Sequence, residues 1–236
     1  MKLKTVIILF VAVFAAQLAA QSAGSLPYIC IPKDLKYFDK VHEGYVARAK
    51  SGVPIGVLFF GDSITYGWAG GGAAYWKKNF EPMQAVNFGI GSDNTQGLMW
   101  RMLNGELDGA SPKVVVINIG TNIIGYPNPD DVTKAITMVV DIVREKQSKA
   151  RVVLMTVFPR GYPKDTPKLL ENLKIVDAQL MKFYKGSDVV VLDISDKLAD
   201  NWKIKPELYS DGVHLTREGY EVWGEALLPV LKSLLK

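Results

Sequence analysis

The chain has 236 residues, 48% of them hydrophobic, with 28 Lys and Arg against 24 Asp and Glu and two histidines. Setting aside Lys2 and Lys4 leaves 26 basic against 24 acidic residues, a balance that argues against nucleic acid or an anionic membrane as a partner. The single Cys30 excludes an internal disulfide and reads as a small packing residue.

Met1 to Ala20 reads as a signal peptide: Lys2 and Lys4, then an apolar run from Val6 to Ala16, then small residues at Ala19, Ala20 and Ala23. This predicts a secreted or periplasmic protein. No cysteine stands at the junction, so no lipoprotein anchor is expected. One domain over residues 26–236 follows, without internal repeats or linkers.

Pro32 to Lys50 has the stripe of an amphipathic helix (Leu35, Phe38, Val41, Tyr45, Val46, Ala49), stopped by Ser51-Gly52. His42 lies beside the stripe, where a surface or helix-packing role is expected rather than catalysis. Val57 to Phe60 is an uninterrupted apolar run, as in a buried parallel strand. Gly61-Asp62-Ser63-Ile64-Thr65 then leaves the strand, setting Ser63 at the carboxyl edge of a sheet, where open α/β sheets hold their chemistry. Two readings stand for this turn alone: a nucleophile at Ser63, or a helix start capped by Asp62 or Ser63. Gly67-Trp68-Ala69-Gly70-Gly71-Gly72 matches no phosphate-binding fingerprint. It reads as a flexible loop beside the serine, with Trp68 as part of a substrate wall.

A second strand at Ala85 to Phe88 leads into Gly89-Ile90-Gly91-Ser92-Asp93, too sparse in glycine for a dinucleotide site. Val114 to Ile119 is a third strand, running into Gly120-Thr121-Asn122. Asn128-Pro129-Asp130-Asp131 opens a helix with a cap, a first-turn proline and acids at the positive dipole end. Val152 to Val157 is the fourth strand, followed by Phe158-Pro159-Arg160-Gly161 and a helix over about Pro167 to Lys185. Val189 to Ile194 is the fifth. An irregular stretch then leads to Asp211-Gly212-Val213-His214-Leu215 and a last helix from Thr216.

Alternating strands and helices specify a three-layer α/β/α domain with a five-stranded parallel sheet. Right-handed crossovers bring every strand-to-helix turn to one edge. Ser63, Ser92, Asn122, Asp211 and His214 all fall on that edge. His214 is placed to act as a base on Ser63, and Asp211 to fix its tautomer from three residues away. Asn122, through its side chain, and the backbone N–H groups of Ser63 and Ser92 are candidate donors to an oxyanion. A two-metal phosphoesterase needs more histidines than two, and a non-catalytic binding protein does not need this constellation.

These blocks, together with Leu98-Met99-Trp100-Arg101, Asn104-Gly105-Glu106-Leu107 and Phe158-Pro159-Arg160-Gly161, resemble the GDSL/SGNH hydrolases of the platelet-activating-factor acetylhydrolase catalytic-subunit type and their bacterial relatives. The resemblance implies a flavodoxin-like SGNH fold, with Ser63 as nucleophile, His214 as base, Asp211 as orienting acid, and Ser63, Ser92 and Asn122 as the oxyanion hole. It also implies an ester hydrolase working without a metal or other cofactor. Asp62, Trp68, Gly91 and Arg160 are the expected substrate contacts. Export and Trp68 direct the substrate expectation to O-acetyl groups on carbohydrate, with a lipid ester (lysophospholipase or acetylhydrolase type) as the alternative. Two positions depart from the family pattern: Ser92 stands where glycine is usual, and Ile123 where a second asparagine is common.

Overall fold

The structure is a computed structural model in which residues 26–33 and 37–236 are described. The signal-peptide reading, and Leu35 of the first helical stripe, lie outside those residues.

In chain order the elements are α1 (Phe38–Lys50), β1 (Val57–Gly61), α2 (Ser63–Tyr66), a 3₁₀ turn (Gly67–Ala69), α3 (Ala73–Asn79), β2 (Ala85–Gly89) and α4 (Thr95–Arg101). A π-helical turn (Met102–Glu106) follows, then β3 (Val114–Asn118), α5 (Pro129–Lys146), β4 (Arg151–Met155), α6 (Pro167–Phe183) and β5 (Val190–Leu192). The chain ends with α7 (Ser195–Leu198), the short strands β6 (Ala199–Asp200) and β7 (Lys203–Ile204), and α8 (Arg217–Leu234).

The five long strands form one parallel sheet in the order β2-β1-β3-β4-β5. β1, an interior strand beside the central β3, is buried on both faces, which is why it reads as a continuous apolar run rather than an alternating one. Its side chains nonetheless alternate between two cores. Leu58 and Phe60 join Val115, Ile117 and Leu154 beneath α1, α4, α5 and α6. Val57 and Phe59 join Val116, Val153 and Met155 beneath α3 and α8. This is the three-layer arrangement expected from the sequence, and no helix among the described residues is long and apolar enough to cross a membrane.

The first helix is shorter than its stripe suggests. Residues 26–33 run as coil and turn, and the helix is described from Phe38. Thr95 Oγ1 and Gln96 Nε2 donate to the carbonyls of Pro27 (2.5 Å) and Leu26 (2.9 Å), holding the incoming chain against α4 instead. Cys30 is a free, half-buried thiol packed against the first core, and burial raises its pKa.

Strand order reverses direction at β1, since the chain moves from β1 outward to β2 and then back across to β3. The carboxyl ends of β1 and β3 therefore flank a crevice, the place where such sheets bind ligands.

Candidate active site

Gly61, the last residue of β1, has no room for a side chain: a Cβ there would lie 2.2 Å from the Asn118 carbonyl and 2.1 Å from Thr65 Oγ1. This bare position lets the chain turn at once into α2, with Asp62 as its cap. Asp62 Oδ1 accepts the Ile64 N–H at 2.9 Å. Ser63 is thus the first residue of a helix, where backbone N–H groups have no intrahelical acceptor.

The second half of the site comes from the loop before α8. Asp211 Oδ1 accepts the N–H groups of Val213 (2.9 Å) and His214 (2.8 Å), which curls the loop around its own carboxylate. His214 Nδ1 lies 2.6 Å from Asp211 Oδ2, and His214 Nε2 lies 2.9 Å from Ser63 Oγ, across 151 residues of sequence. Partial burial pushes the Asp211 carboxyl upward, but the hydrogen bonds from the His214 N–H and ring and the Val213 N–H outweigh it and hold the pKa at about 2. An ionised carboxylate only accepts, so Nδ1 carries the ring proton and Nε2 presents its lone pair to the serine hydroxyl. The side chains of His214 and Asp211 are 45% and 44% exposed, so the pair stands at the mouth of the crevice.

Gly212, between them, has φ +86°, and a Cβ there would meet the Gly161 carbonyl at 2.5 Å. The Gly161 N–H donates to the Gly212 carbonyl at 2.8 Å, and Tyr209 Oη donates to the Pro159 carbonyl at 2.7 Å. The β4 loop therefore abuts the loop carrying the histidine.

Asn122 is exposed at the end of β3, and its Nδ2 donates to the Asp93 carbonyl at 2.7 Å. One amide hydrogen is used by that bond and the other is left for a ligand. Ser92 is exposed with φ +60°, a left-handed conformation unusual for a residue with a side chain. It is the conformation that the family's customary glycine adopts freely, so the departure at Ser92 keeps the turn at a cost in strain. Ile123, the second departure, is buried in the core beside β3.

Three expected substrate contacts are corrected. Trp68 is 1% exposed and packs among Phe80, Tyr220 and Trp223 at ring distances of 4.8–5.2 Å, on the α8 side of the sheet. Of the glycines beside it, Gly70 and Gly71 are exposed, whereas Gly67 and Gly72 lie tight against side chains. A Cβ on Gly67 or Gly72 would strike Tyr220 Oη at 2.0 Å or the Trp68 ring at 2.3 Å, so they are bare to let those rings close. Asp62 is fully buried and occupied as a helix cap, which keeps it from substrate. Arg160 spends its donors internally. Nε and Nη2 grip the two Asp165 oxygens at 2.8 Å, and Nη1 donates to Thr121 O (2.9 Å) and Oγ1 (3.1 Å). It braces the Asn122 turn against the β4 loop rather than offering a free cation. Gly91 remains near the crevice, its carbonyl accepting from Tyr37 Oη at 2.6 Å.

The sequence did not point to Tyr37 or Tyr162, two exposed rings next to site loops, and no periodicity or motif could have marked them. His42 is buried, with Nδ1 2.8 Å from Glu106 Oε1, so of the two expected roles it has the packing one.

Residues 59–222 match the GDSL-like Lipase/Acylhydrolase family. The human protein named platelet-activating factor acetylhydrolase IB subunit alpha1 is 33% identical over 196 residues, covering 83% of this chain and 83% of its own length. Among solved structures, a platelet activating factor structure from Streptococcus pneumonia aligns with a TM-score of 0.71 at 22% identity, over 92% of this chain and 98% of that one. A GDSL-like lipase from Bacteroides thetaiotaomicron aligns with a TM-score of 0.67 at 22% identity, over 81% and 97%. At such identities the structural likeness speaks for the fold, while the family match spans most of the chain and all of the strand-end blocks that carry the expectation. The chain belongs to the GDSL-like lipase/acylhydrolase family and is an ester hydrolase.

Proposed function

We propose that the protein is a secreted serine esterase acting on acetyl esters through Ser63, His214 and Asp211. The observation that carries this reading is the unbroken line from Asp211 Oδ2 through the imidazole to Ser63 Oγ, at 2.6 and 2.9 Å. His214 Nε2 takes the Ser63 proton as Oγ attacks the ester carbonyl carbon. The negative charge that develops on the carbonyl oxygen meets the Ser63 and Ser92 N–H groups and the free Asn122 amide hydrogen. As the tetrahedral species collapses, the C–O bond to the alcohol breaks and His214 returns the proton to the departing oxygen. Water, deprotonated by His214, then attacks the acyl-enzyme and frees the acid and Ser63. Asp211, ionised throughout, keeps the imidazole in the tautomer both steps require.

The acetylated carbohydrate reading loses Trp68 as a support, since that ring is in the core. It gains Tyr37, an exposed ring at the start of α1 whose Oη donates to Gly91 of the β2 loop, and Tyr162, an exposed ring on the β4 loop, as faces for a sugar. The half-exposed His214 and Asp211 favour a small acyl group with a bulky alcohol left outside. A second reading, an acetyl ester on a lipid, is favoured by the name of the 33% identical relatives.

The test is hydrolysis of p-nitrophenyl acetate by wild type and Ser63→Ala, with and without chelator, followed by a panel of acetyl-to-octanoyl esters, acetylated xylan, acetylated sialic acid and an acetylated phospholipid. Chelator-resistant turnover that vanishes in Ser63→Ala, and falls as the acyl chain lengthens, is expected. Retained turnover in Ser63→Ala overturns the proposal.

A further inference from the structure

The blocks Leu98-Met99-Trp100-Arg101 and Asn104-Gly105-Glu106-Leu107 have so far had no part in the chemistry. α4 does not end cleanly but runs into the π-helical turn, in which Gly105 takes φ +118°. That turn brings Glu106 back onto Arg101, five residues earlier, and both side chains are fully buried. The guanidinium lies 5.2 Å from the centre of the Phe60 ring and faces three acceptors. Nε donates to Asp93 Oδ2 at 2.8 Å, Nη1 to Glu106 Oε2, and Nη2 to the Gly61 carbonyl at 3.1 Å. The other oxygen of Glu106 holds His42 of α1.

Two of these acceptors belong to the site loops. Gly61 directly precedes Asp62-Ser63. Asp93 directly follows Ser92, and its carbonyl is what orients the Asn122 amide at 2.7 Å. We infer that Arg101 is a positioning residue for the oxyanion hole: it locks the β1 and β2 exits to each other, and through Asp93 it sets where Asn122 points. The inference rests on the serine-ester reading above. It also accounts for a charge in such a place. A buried ion network contributes little stability relative to well-packed apolar residues of the same volume, whereas it fixes geometry in several directions at once. Lysine keeps the charge but is a point donor on a flexible stem and cannot serve three acceptors in one plane.

The experiment is a double-mutant cycle on p-nitrophenyl acetate with Arg101→Lys, Asn122→Ala and the pair, each rate divided by the concentration of Ser63 that a fluorophosphonate labels. Misplacement of a reacting group by about 1 Å costs on the order of 10²-fold, so Arg101→Lys is expected to lower kcat by roughly 10- to 100-fold. Its KM stays within about twofold, because the hole acts on the transition state. Asn122→Ala is expected to lose about 10²- to 10³-fold. In the Asn122→Ala background the lysine substitution should then add less than about threefold, since the group it positions is gone. Losses that multiply in the two backgrounds, or a folded Arg101→Lys with wild-type kcat, overturn the inference. Should Arg101→Lys not fold, Glu106→Gln, which preserves shape and removes one charge, decides the same question. A kcat loss present in the wild-type background and absent with Asn122→Ala supports the inference. No loss, or the same loss in both, overturns it. Turnover surviving in Ser63→Ala removes the serine-ester reading and this inference together, whereas multiplying losses with an inactive Ser63→Ala remove this inference alone.

Discussion

At Ser92 the backbone turns through φ +60°, and the expected role of the residue needs only its N–H. An L-residue in that region costs about 1–2 kcal/mol, while glycine returns about 0.4–1 kcal/mol through its freer unfolded state. Ser92→Gly should therefore be neutral to about 1 kcal/mol more stable by urea unfolding, with kcat within about tenfold of wild type. Ser92→Ala keeps both the turn and the donor and should change neither quantity. A fall in its kcat of the size expected for Asn122→Ala would mean that the hydroxyl, not the backbone, serves the hole. Asp62 carries a different strain. Burial raises its carboxyl to a pKa of about 7, with nearby Asp93 adding to the rise and the Ile64 N–H and His214 opposing it, and its Oδ2 has no hydrogen-bond partner. Between about pH 4 and 7 the folded chain holds a proton there that an unfolded aspartate has lost. Stability must then fall as pH rises through that window, by an amount on the order of 4 kcal/mol at the upper limit. Asp62→Asn cannot titrate, so its unfolding free energy should fall less than that of wild type between pH 4 and 8. Parallel curves for the two proteins would place the burden elsewhere.

Among the elements, strands were the most legible. Each of the five sheet strands lies within two residues of its expected run; for the interior strands β1 and β3 the reason is that a strand buried on both faces has to be apolar throughout. The strand-end motifs were legible for a related reason: a residue directly after a parallel strand has few places to go. What could not be read was whatever depends on a distant partner. The bare backbone of Gly67, Gly71 and Gly72 resembles a mobile loop until Tyr220 is seen lying on it, about 150 residues later in the chain. The same applies to Trp68, whose identity is compatible with a sugar wall or a core. Trp68→Ala should cost about 3–5 kcal/mol and leave KM unchanged, because the ring fills a core and touches no substrate. A raised KM at unchanged stability would restore the wall. The hairpin β6–β7 lies in the stretch whose sequence reads as irregular. Its turn has positive φ at both Asn201 and Trp202, and the Asp200-Asn201 pair was the available signal, masked by a tryptophan that seldom accepts that conformation.

Over the whole molecule the two halves of the site come from opposite ends of the chain, with Ser63 on the first strand's exit and His214 just before the last helix. α8 is fastened to the turn that carries Ser63: Tyr220 Oη donates to the Ile64 carbonyl at 2.6 Å, in the core. Tyr220→Phe strands that carbonyl and should cost about 1–3 kcal/mol in urea unfolding, and an unchanged midpoint would show the bond to be dispensable. The 151-residue separation also has a consequence in time. On the proposed mechanism Ser63 has no base until His214 arrives, so the nascent or refolding protein carries an ordinary, unreactive serine until the loop before α8 has docked. In a refolding experiment, helix and strand signals should return ahead of esterase turnover and of fluorophosphonate labelling, and the enzyme's own reaction becomes a clock that starts when the last segment of the chain reaches the first.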